Sequence, residues 1–252
     1  MYQFFVEPEQ IDVAGKSVII RGNDVNHIKN VLRMRPGEEV AVSNGIDGRE
    51  YRCGILALEE DCVRLELRFI KEDGVELPAK IYLFQGLPKA DKMEWIVQKS
   101  TELGAAAIAP VAMIRSVVKL EGKDAAKKTE RWQKIAREAV KQCARVNAPE
   151  VKMPRKLAAM KDELNALDVL IVPWEDARDG SIADCLAPFK AKERVSIGIL
   201  IGPEGGIAPE EAEWLTHEAG AKLVTLGPRI LRTETAAIAS QTIVMALRGE
   251  ME

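Results

Sequence analysis

The chain contains few of the residues that usually hold metals or redox groups. Its 252 residues include two histidines, His27 and His217, and no two cysteines in a CxxC spacing. Zinc and iron–sulfur sites use such residues in clusters. We therefore expect no metal site. The four scattered cysteines are expected to be free thiols in a reducing cytoplasm: Cys53, Cys62, Cys143 and Cys185.

The sequence also lacks a long apolar run. No segment approaches the length of a membrane-spanning helix, and the first residues have neither the basic start nor the apolar core of a signal peptide. Apolar residues make up 47% and charged residues 30% of the chain, which is typical of a globular protein. We expect a cytoplasmic protein of one large or two smaller domains, with no membrane contact.

Charge is distributed unevenly along the chain. Residues 1–76 and 146–252 each carry a net charge of −5, whereas residues 77–145 carry 14 Lys and Arg against 7 Asp and Glu, a net charge of +7. A basic block in an acidic chain is typical of a protein that binds a polyanion. Lysine-rich helix faces in contact with solvent would explain the same pattern, so charge alone does not decide.

Short apolar segments separated by turn residues predict a small β domain in the first 73 residues. The predicted strands are residues 16–20, 39–43, 50–56 and 62–69. The last of them alternates, which predicts one buried face, formed by Val63, Leu65, Leu67 and Phe69. We expect a small barrel or curled sheet.

Three further segments complete this part of the chain. Residues 44–48 contain two glycines and predict a hairpin loop. Residues 24–34 predict a single helix with Asp24 as its N-cap. Residues 71–76 are polar and predict a linker between two domains, with the boundary between residues 73 and 74.

From residue 80 onward, strands alternate with helices, which predicts an α/β layer structure. The predicted strands are residues 81–84, 105–111, 168–173, 195–201 and 222–226, and the predicted helices are 89–104, 124–146, one from 209, and 235–248. The apolar strands at 168–173 and 195–201 are typical of a parallel sheet covered on both faces. In helix 89–104, Asp91 is the expected N-cap and Gly104 the end.

Helix 124–146 has the clearest amphipathic pattern. Its buried face is predicted from the i, i+3, i+4, i+7 spacing of Trp132, Ile135, Ala136, Ala139, Val140 and Cys143. The opposite stripe is basic: Arg131, Lys134, Lys141 and Arg145.

Two unusual turns follow successive strands in the C-terminal half. The first is Ile201-Gly-Pro-Glu-Gly-Gly-Ile207, and the second is Leu226-Gly-Pro-Arg-Ile-Leu-Arg-Thr-Glu-Thr-Ala236. Open α/β sheets bind ligands at the carboxyl ends of their strands, and the glycines allow close approach of backbone. Ile230 and Leu231 stand where a loop is normally polar, so they must pack on the fold or on a ligand. We expect one pocket suited to a flat heterocycle.

The turns differ from the common nucleotide-binding signatures. Neither contains the GxGxxG of dinucleotide-binding folds with its downstream acid, which weakens the hypothesis of an oxidoreductase, and neither contains the Gly-Lys-Ser/Thr of a P-loop. The two turns closely resemble those of the SPOUT class of methyltransferases. Within that class they are similar to the RsmE family, which methylates N3 of one uridine in 16S ribosomal RNA.

The resemblance covers most of the chain. Residues 86–104 and 139–149 are similar to other signatures of the family, and residues 27–33 more loosely resemble its PUA-like N-terminal domain. Ala148 departs from the valine expected there. The resemblance implies a PUA-like β-barrel at residues 1–73 and a parallel-sheet SPOUT domain with a trefoil knot at residues 74–252. It also implies S-adenosylmethionine as cofactor, held in a bent form by both loops.

The resemblance further implies a homodimer built across the knot. The C-terminal helix agrees with this, because it is apolar on nearly every face and needs burial on two sides. Burial deep within its own sheet layer would satisfy the same pattern. The implied substrate is 16S rRNA, free or in the assembled small subunit.

Methylation of uracil N3 requires the loss of an imide proton, so the site must stabilise an anion, accept the proton, or both. Arg232 is the first candidate for holding a uracil carbonyl, and Glu234 or Glu204 could accept the proton. Glu234 as a simple helix N-terminal acid and Glu204 as a partner of loop amides are the alternatives. The expected cofactor contacts are Pro173, Ile201, Gly202, Gly205, Gly206, Leu226, Gly227, Ile230, Leu231, Thr235 and Ala236.

Candidate RNA-binding residues come from three parts of the chain. Those around the predicted N-terminal helix are Arg21, Lys29, Arg33 and Arg35; the others are Lys89, Lys92, Lys99, Arg115, Arg131, Lys134, Lys141 and Arg145. Scattered surface charge is the alternative for any one of them. A non-enzymatic hypothesis also stays open, in which the protein is a ribosome-assembly factor with a silent pocket.

Overall fold

The computed structural model describes residues 1–71, 78–143 and 145–251. The chain divides into two compact units, the first of Met1–Glu76 with Val140–Ala148 and the second of Leu77–Ala139 with Pro149–Glu252. The predicted linker at residues 71–76 and the boundary between 73 and 74 lie almost entirely outside the described residues. The domain limits therefore stay a prediction.

The first unit contains a six-stranded mixed sheet. Its strands are β1 (Tyr2–Phe5), β2 (Ile11–Asp12), β3 (Ser17–Arg21), β4 (Glu39–Ser43), β5 (Glu50–Leu58) and β6 (Cys62–Lys71). They lie in the order β1-β4-β5-β6-β3-β2, with only β1 and β4 parallel. All four predicted strands and the hairpin loop are present, whereas β1 and β2 were not predicted. The expectation of a small β domain is confirmed.

The predicted buried face of β6 is wrong at one residue. Val63, Leu65 and Leu67 are buried, but Phe69 is 59% exposed. The register of β5 with β6 shifts between Arg52 and Cys53. A bulge of this kind breaks the alternation of inward and outward side chains. Phe69 therefore lies on the solvent side, and Ile70 packs against the core instead.

The helix predicted at residues 24–34 is shorter than expected and irregular. Helix α1 covers Asn23–Asn26 and continues as a single π-helical segment at His27–Val31. Gly22, with φ of 77°, is the N-cap residue, so the prediction of Asp24 as N-cap is wrong. Asp24 lies instead in the first turn of α1, where the helix dipole stabilises a carboxylate. Arg33 has φ of 53°, which ends the helical path.

The remaining elements alternate strand and helix as predicted, apart from two short strands between residues 150 and 156 that follow one another. These two strands and the helices at residues 161–165 and 182–186 were not predicted. They are β7 (Lys80–Gly86), α2 (Lys92–Glu102), β8 (Ala105–Ala112), α3 (Gly122–Cys143), β9 (Glu150–Val151), β10 (Arg155–Lys156), α4 (Lys161–Asn165), β11 (Val169–Pro173), α5 (Ile182–Leu186), β12 (Ser196–Ile201), α6 (Pro209–Glu218), β13 (Lys222–Val224) and α7 (Thr233–Leu247). None of the described helices is both long enough and apolar enough to cross a membrane.

The sheet of the second unit is entirely parallel. Its order is β10-β8-β7-β12-β11-β13, with β9 beside β8. Its middle strands are buried almost completely, because helices cover both faces. The carboxyl ends of β7, β12, β11 and β13 meet at one edge. The two unusual turns leave β12 and β13 at this edge.

Helix α3 ends earlier than predicted. Trp132, Ala136 and Val140 are buried as expected, but the helix stops at Cys143 rather than near Val146. Arg145 lies beyond the helix and is only 5% exposed, so its assignment to the exposed basic stripe is wrong. In α2, Asp91 occupies the N-cap position without a capping side-chain bond, and Gly104 follows the helix with φ of 81°.

A local ion cluster fixes the start of two neighbouring strands, β11 and β12. Asp168, just before β11, accepts hydrogen bonds from the Ser196 backbone N–H and hydroxyl, both at 2.8 Å, and from Lys192. Lys192 and Ser196 lower the pKa of Asp168 to about 2. This carboxylate therefore stays ionised across the neutral range and pins the amino end of β12 beside β11.

Candidate functional site

Two cavities lie at the carboxyl edge of the parallel sheet, with volumes of about 450 Å³ and about 430 Å³. The larger one includes the turn after β12, and the smaller one includes the segment after β13. Both are lined by Pro173, Glu175, Ile230, Leu231 and Ala236. The two turns singled out in the sequence therefore border one composite site.

Most of the candidate cofactor contacts line this site. The larger cavity contains Ile201, Gly202, Gly205 and Gly206, and the smaller contains Leu226 and Gly227. Thr235 lines neither cavity and is exposed. Ile230 is 90% exposed, so its side chain does not pack on the described part of the fold. Ile230 lines both cavities, and its contact with the cofactor stays a prediction.

The glycines of the turns are required by space and by backbone conformation. Gly206 has φ of 74°, and a Cβ on it would lie 2.0 Å from Glu175 Oε1. A Cβ on Gly202 would lie 2.8 Å from Ile207 Cγ1. Gly227 has φ of 97° with nothing within 4 Å of a built Cβ, so a side chain there would project into open space at the cavity. Only glycine combines these conformations with an open cradle.

A buried hydrogen-bond chain joins the two turns. The Thr233 hydroxyl, at the start of α7, donates to Gly202 O at 2.6 Å and accepts from Gln85 Nε2 at 2.9 Å. Gln85 Nε2 also donates to the Gly86 carbonyl at 3.0 Å. Thr233 and Gln85 are both buried. This pair was not predicted from the sequence, although a glutamine at the end of an apolar strand is a polar residue in a buried position.

Three charged residues form a second connection between the turns. Lys92 Nζ lies 3.1 Å from Glu204 Oε1 and 3.2 Å from Glu234 Oε2. Glu204 also accepts from the Lys89 backbone N–H at 3.0 Å. Burial alone would raise the pKa of Glu204, but the Lys89 N–H and the Lys92 ammonium outweigh it and hold that pKa below its usual range. Hydrogen bonding to Glu204, partly opposed by burial, raises the pKa of Lys92.

Arg232 differs from this cluster. It is exposed, lines the larger cavity and occupies the N-cap position of α7. Within the described ranges, no carboxylate pairs with its guanidinium. Glu234 lies in the first turn of α7 but lines neither cavity. The arrangement thus places the unpaired Arg232 and the paired Glu204 at the larger cavity, with the paired Glu234 behind it.

The candidate RNA-binding residues fall into two groups. Several are occupied by protein groups: Arg21 with Asp61, Lys29 with Glu59 O, Lys99 with Glu102, Arg115 with Gly205 O and Arg131 with Glu94. Others are side chains without a partner among the residues described: Arg33, Arg35, Lys89 and Lys134. Arg115 packs directly on the first turn, since a Cβ on Gly205 would lie 3.0 Å from Arg115 Cβ.

The chain is similar to protein families and to individual proteins that are already known. A family described as "RNA methyltransferase domain" matches residues 75–245, and one described as "RNA methyltransferase PUA domain" matches residues 20–67. The chain is 40% identical to ribosomal RNA small subunit methyltransferase E of Bacillus subtilis, over 99% of this chain and 100% of that protein. The chain belongs to the ribosomal RNA small subunit methyltransferase E family.

Two solved structures are similar over the whole chain. The methyltransferase E of Neisseria gonorrhoeae, bound to S-adenosyl methionine, is 33% identical with a TM-score of 0.79, covering 98% of both chains. A putative methyltransferase of Legionella pneumophila, in complex with the bound cofactor SAM, is 32% identical with a TM-score of 0.81, covering 97% of this chain and 96% of that one. Membership of the methyltransferase E family and the PUA-like N-terminal domain are thereby confirmed.

The geometry of the first turn generates a test with a matched control. We expect Gly206→Ala to weaken the binding of S-adenosylmethionine at least about tenfold, because the left-handed backbone at the cavity costs about 1–2 kcal/mol and the new Cβ displaces the Glu175 side chain that borders both cavities. Gly220→Ala is the control, since Gly220 has φ of 60° and open space around it, away from the cavities. Isothermal titration calorimetry measures both. Equal affinities in the two variants would remove Gly206 from the site.

Proposed function

We propose that this protein uses S-adenosylmethionine to methylate N3 of one uridine in the 16S rRNA of the small ribosomal subunit, in the cytoplasm. The observation that carries the proposal is the composite cavity between the turns after β12 and β13, in a chain of this family. The target atom and the location are inferred from the family resemblance.

The residues of the cavity fit the proposed cofactor. Leu226, Ile230 and Leu231 supply apolar walls for an adenine ring, and the turns present backbone amides around it. Gly227 leaves a cradle that any larger side chain would fill. Cavities of about 300–1,000 Å³ with apolar walls and a few polar groups are typical of small-molecule sites. The two volumes given above fall in this range.

S-adenosylmethionine, when bound, supplies a methyl group on a sulfonium, which is already activated for displacement. The chain must then place uracil N3 in line with that methyl carbon, since positioning provides most of the rate of such a transfer. It must also remove the imide proton, or stabilise the anion that remains after its loss. No metal ion is needed for either task, and we propose none.

We propose that Arg232 stabilises the developing anion. Its guanidinium is at the cavity and without a carboxylate partner, so its charge is available to a uracil carbonyl oxygen. A positioned donor of this kind contributes about 10²–10³ in turnover. Because Arg232 is the N-cap residue of α7, the positive end of the helix dipole adds to its stabilisation of the anion.

We propose Glu234 rather than Glu204 as the proton acceptor. Both oxygens of Glu204 are engaged, since the Lys89 N–H reaches each of them at 3.0 and 3.2 Å and Lys92 lies beside one. Its lowered pKa makes Glu204 a weaker base than an ordinary glutamate. Glu234 has one close cationic neighbour and lies two residues from Arg232. Glu204 then serves to fix the first turn.

We propose that the unpaired basic side chains contact rRNA phosphates. Arg33 and Arg35 follow the π-helical segment of the first unit, and Lys89 and Lys134 are exposed in the second. Lysine and arginine bind phosphates without reading sequence, so these residues would hold the RNA in place. The paired residues Lys99 and Arg131 are less suited, because their charges are already compensated.

We infer a homodimer assembled through α7, with the chain threaded as a trefoil knot. The observation in favour is a strip of apolar residues on α7 that remains in solvent, with Ile243 39% and Leu247 45% exposed and Ala246 between them on the same face. Residues at this spacing form one helix face that a second copy could cover. Light scattering should give twice the chain mass of 27.8 kDa, and a monomer at micromolar concentration would contradict the inference.

The function is tested in a strain from which the gene has been deleted. Mass spectrometry of small-subunit rRNA should show the loss of one methyluridine, and a plasmid with the wild-type gene should restore it. An unchanged modification map would overturn the proposed activity. It would favour instead an assembly factor with a silent pocket.

The same strain tests the role of Arg232. A plasmid with Arg232→Ala should fail to restore the methyluridine, because turnover falls about 100-fold or more while the affinity for S-adenosylmethionine changes only a few-fold. Arg194→Ala is the control for the lost charge, since Arg194 is exposed and lines neither cavity. Full restoration by Arg232→Ala would remove this residue from the mechanism.

A further inference from the structure

Lys92 occupies an electrostatically costly position. It is the first residue of α2, where the positive end of the helix dipole disfavours a cation. Glu234, in contrast, lies in the first turn of α7, where a carboxylate is favoured. The ammonium of Lys92 is tolerated because Glu204 and Glu234 flank it at 3.1 and 3.2 Å.

The cluster joins three separate segments of the chain. Lys92 comes from the start of α2, Glu204 from the turn after β12, and Glu234 from the helix that follows the second turn. All three side chains are shielded, with side-chain exposures of 30%, 19% and 26%. Ion pairs of this kind are screened less than surface pairs, so they hold their partners more firmly.

The two carboxylates are not held in the same way. Glu204 Oε1 takes part in hydrogen bonding, whereas Glu234 Oε2 is shielded from solvent and accepts no hydrogen bond from the described residues. Lys92 Nζ lies 3.2 Å from Glu234 Oε2, so the ammonium charge holds this oxygen. Glu234 is therefore held by the Lys92 charge, whereas Glu204 is held by the Lys89 backbone N–H as well.

We propose that Lys92 is a positioning residue for methyl transfer, which anchors to Glu204 of the first turn and fixes the orientation of the Glu234 carboxylate, the proposed proton acceptor. This inference rests on the proposed function. It also gives Lys92 a role other than the phosphate contact that the sequence suggested, because its charge is compensated by two carboxylates. Lys92 touches neither cavity and acts through Glu234.

The inference makes a specific kinetic prediction for purified protein acting on unmethylated small subunits. Lys92→Met should lower kcat at least about tenfold, with the KM for the subunit and the affinity for S-adenosylmethionine within about threefold of wild type. Lys92→Arg should retain most of the activity, because a guanidinium can still span two carboxylates. Lys161→Met is the control, since Lys161 is also ion-paired, with Glu218, but lies away from the cavities.

A double-mutant cycle separates positioning from simple structural support. If Lys92 acts through Glu234, the Lys92→Met/Glu234→Gln protein should be no slower than Glu234→Gln alone. Lys92→Gln provides a second neutral variant if Lys92→Met does not fold. Thermal unfolding of each variant shows which of them are folded at the assay temperature.

Three results would overturn the inference. The first is a raised KM for the subunit with unchanged kcat, which would make Lys92 a phosphate contact. The second is a double mutant in which the effects of the two substitutions multiply. The third is an unaltered kcat in folded Lys92→Met. In each of these the wild type still transfers methyl groups, so the proposed function survives. A wild-type protein that binds cofactor and subunits but transfers no methyl group would overturn the function and this inference together.

Discussion

The site depends on one buried hydroxyl, that of Thr233. It is the point at which the end of β7, the turn after β12 and the start of α7 are held together, through Gln85 and the Gly202 carbonyl. A buried polar group is costly when left without a partner, so this chain of bonds favours one arrangement over its neighbours. Because Gly202 and Thr233 belong to the two different turns, their bond determines how far apart the walls of the larger cavity stand.

Electrostatics adds a second level of organisation around the same turns. Lys92 with its two glutamates forms a compensated cluster that reaches the larger cavity at Glu204, while Arg232 at the same cavity has no partner among the described residues. Leaving it unpaired beside a shielded carboxylate suits a reaction in which a neutral imide loses its proton and acquires charge.

Much of the fold could be predicted from the sequence because its signals are local. Continuous apolar strands indicated the parallel sheet, and glycine-rich turns at strand ends indicated the cavities. The predictions that failed depend on contacts between distant segments or on small changes in strand and helix geometry. The bulge that exposes Phe69 depends on the register of β5, and the end of α3 leaves Arg145 buried outside the helix. The parallel pairing of β1 with β4 joins segments far apart in the sequence.

The site shows the same division between local and long-range information. The residues of each turn are recognisable by themselves, but their partners are not. Gln85 is 148 residues from Thr233 in the chain, and no spacing rule connects them. Lys92 has the pattern of a surface cation on an amphipathic helix, and only the folded chain places it between Glu204 and Glu234. Pairing of this kind follows from the sheet order rather than from any one segment.

The central claim, that the Thr233 hydroxyl joins the two turns into one cofactor site, is tested most directly by the affinity of Thr233→Val for S-adenosylmethionine. Valine keeps the shape but leaves Gly202 O without a partner and Gln85 Nε2 with only the Gly86 carbonyl. A penalty of about 1–3 kcal/mol on the arrangement that binds the cofactor corresponds to roughly 5- to 150-fold in affinity. Thr216→Val, whose hydroxyl bonds only within α6, is the control and should bind as wild type does. We expect calorimetry to show weakened binding by a folded Thr233→Val protein. Wild-type affinity in that folded variant would contradict the account.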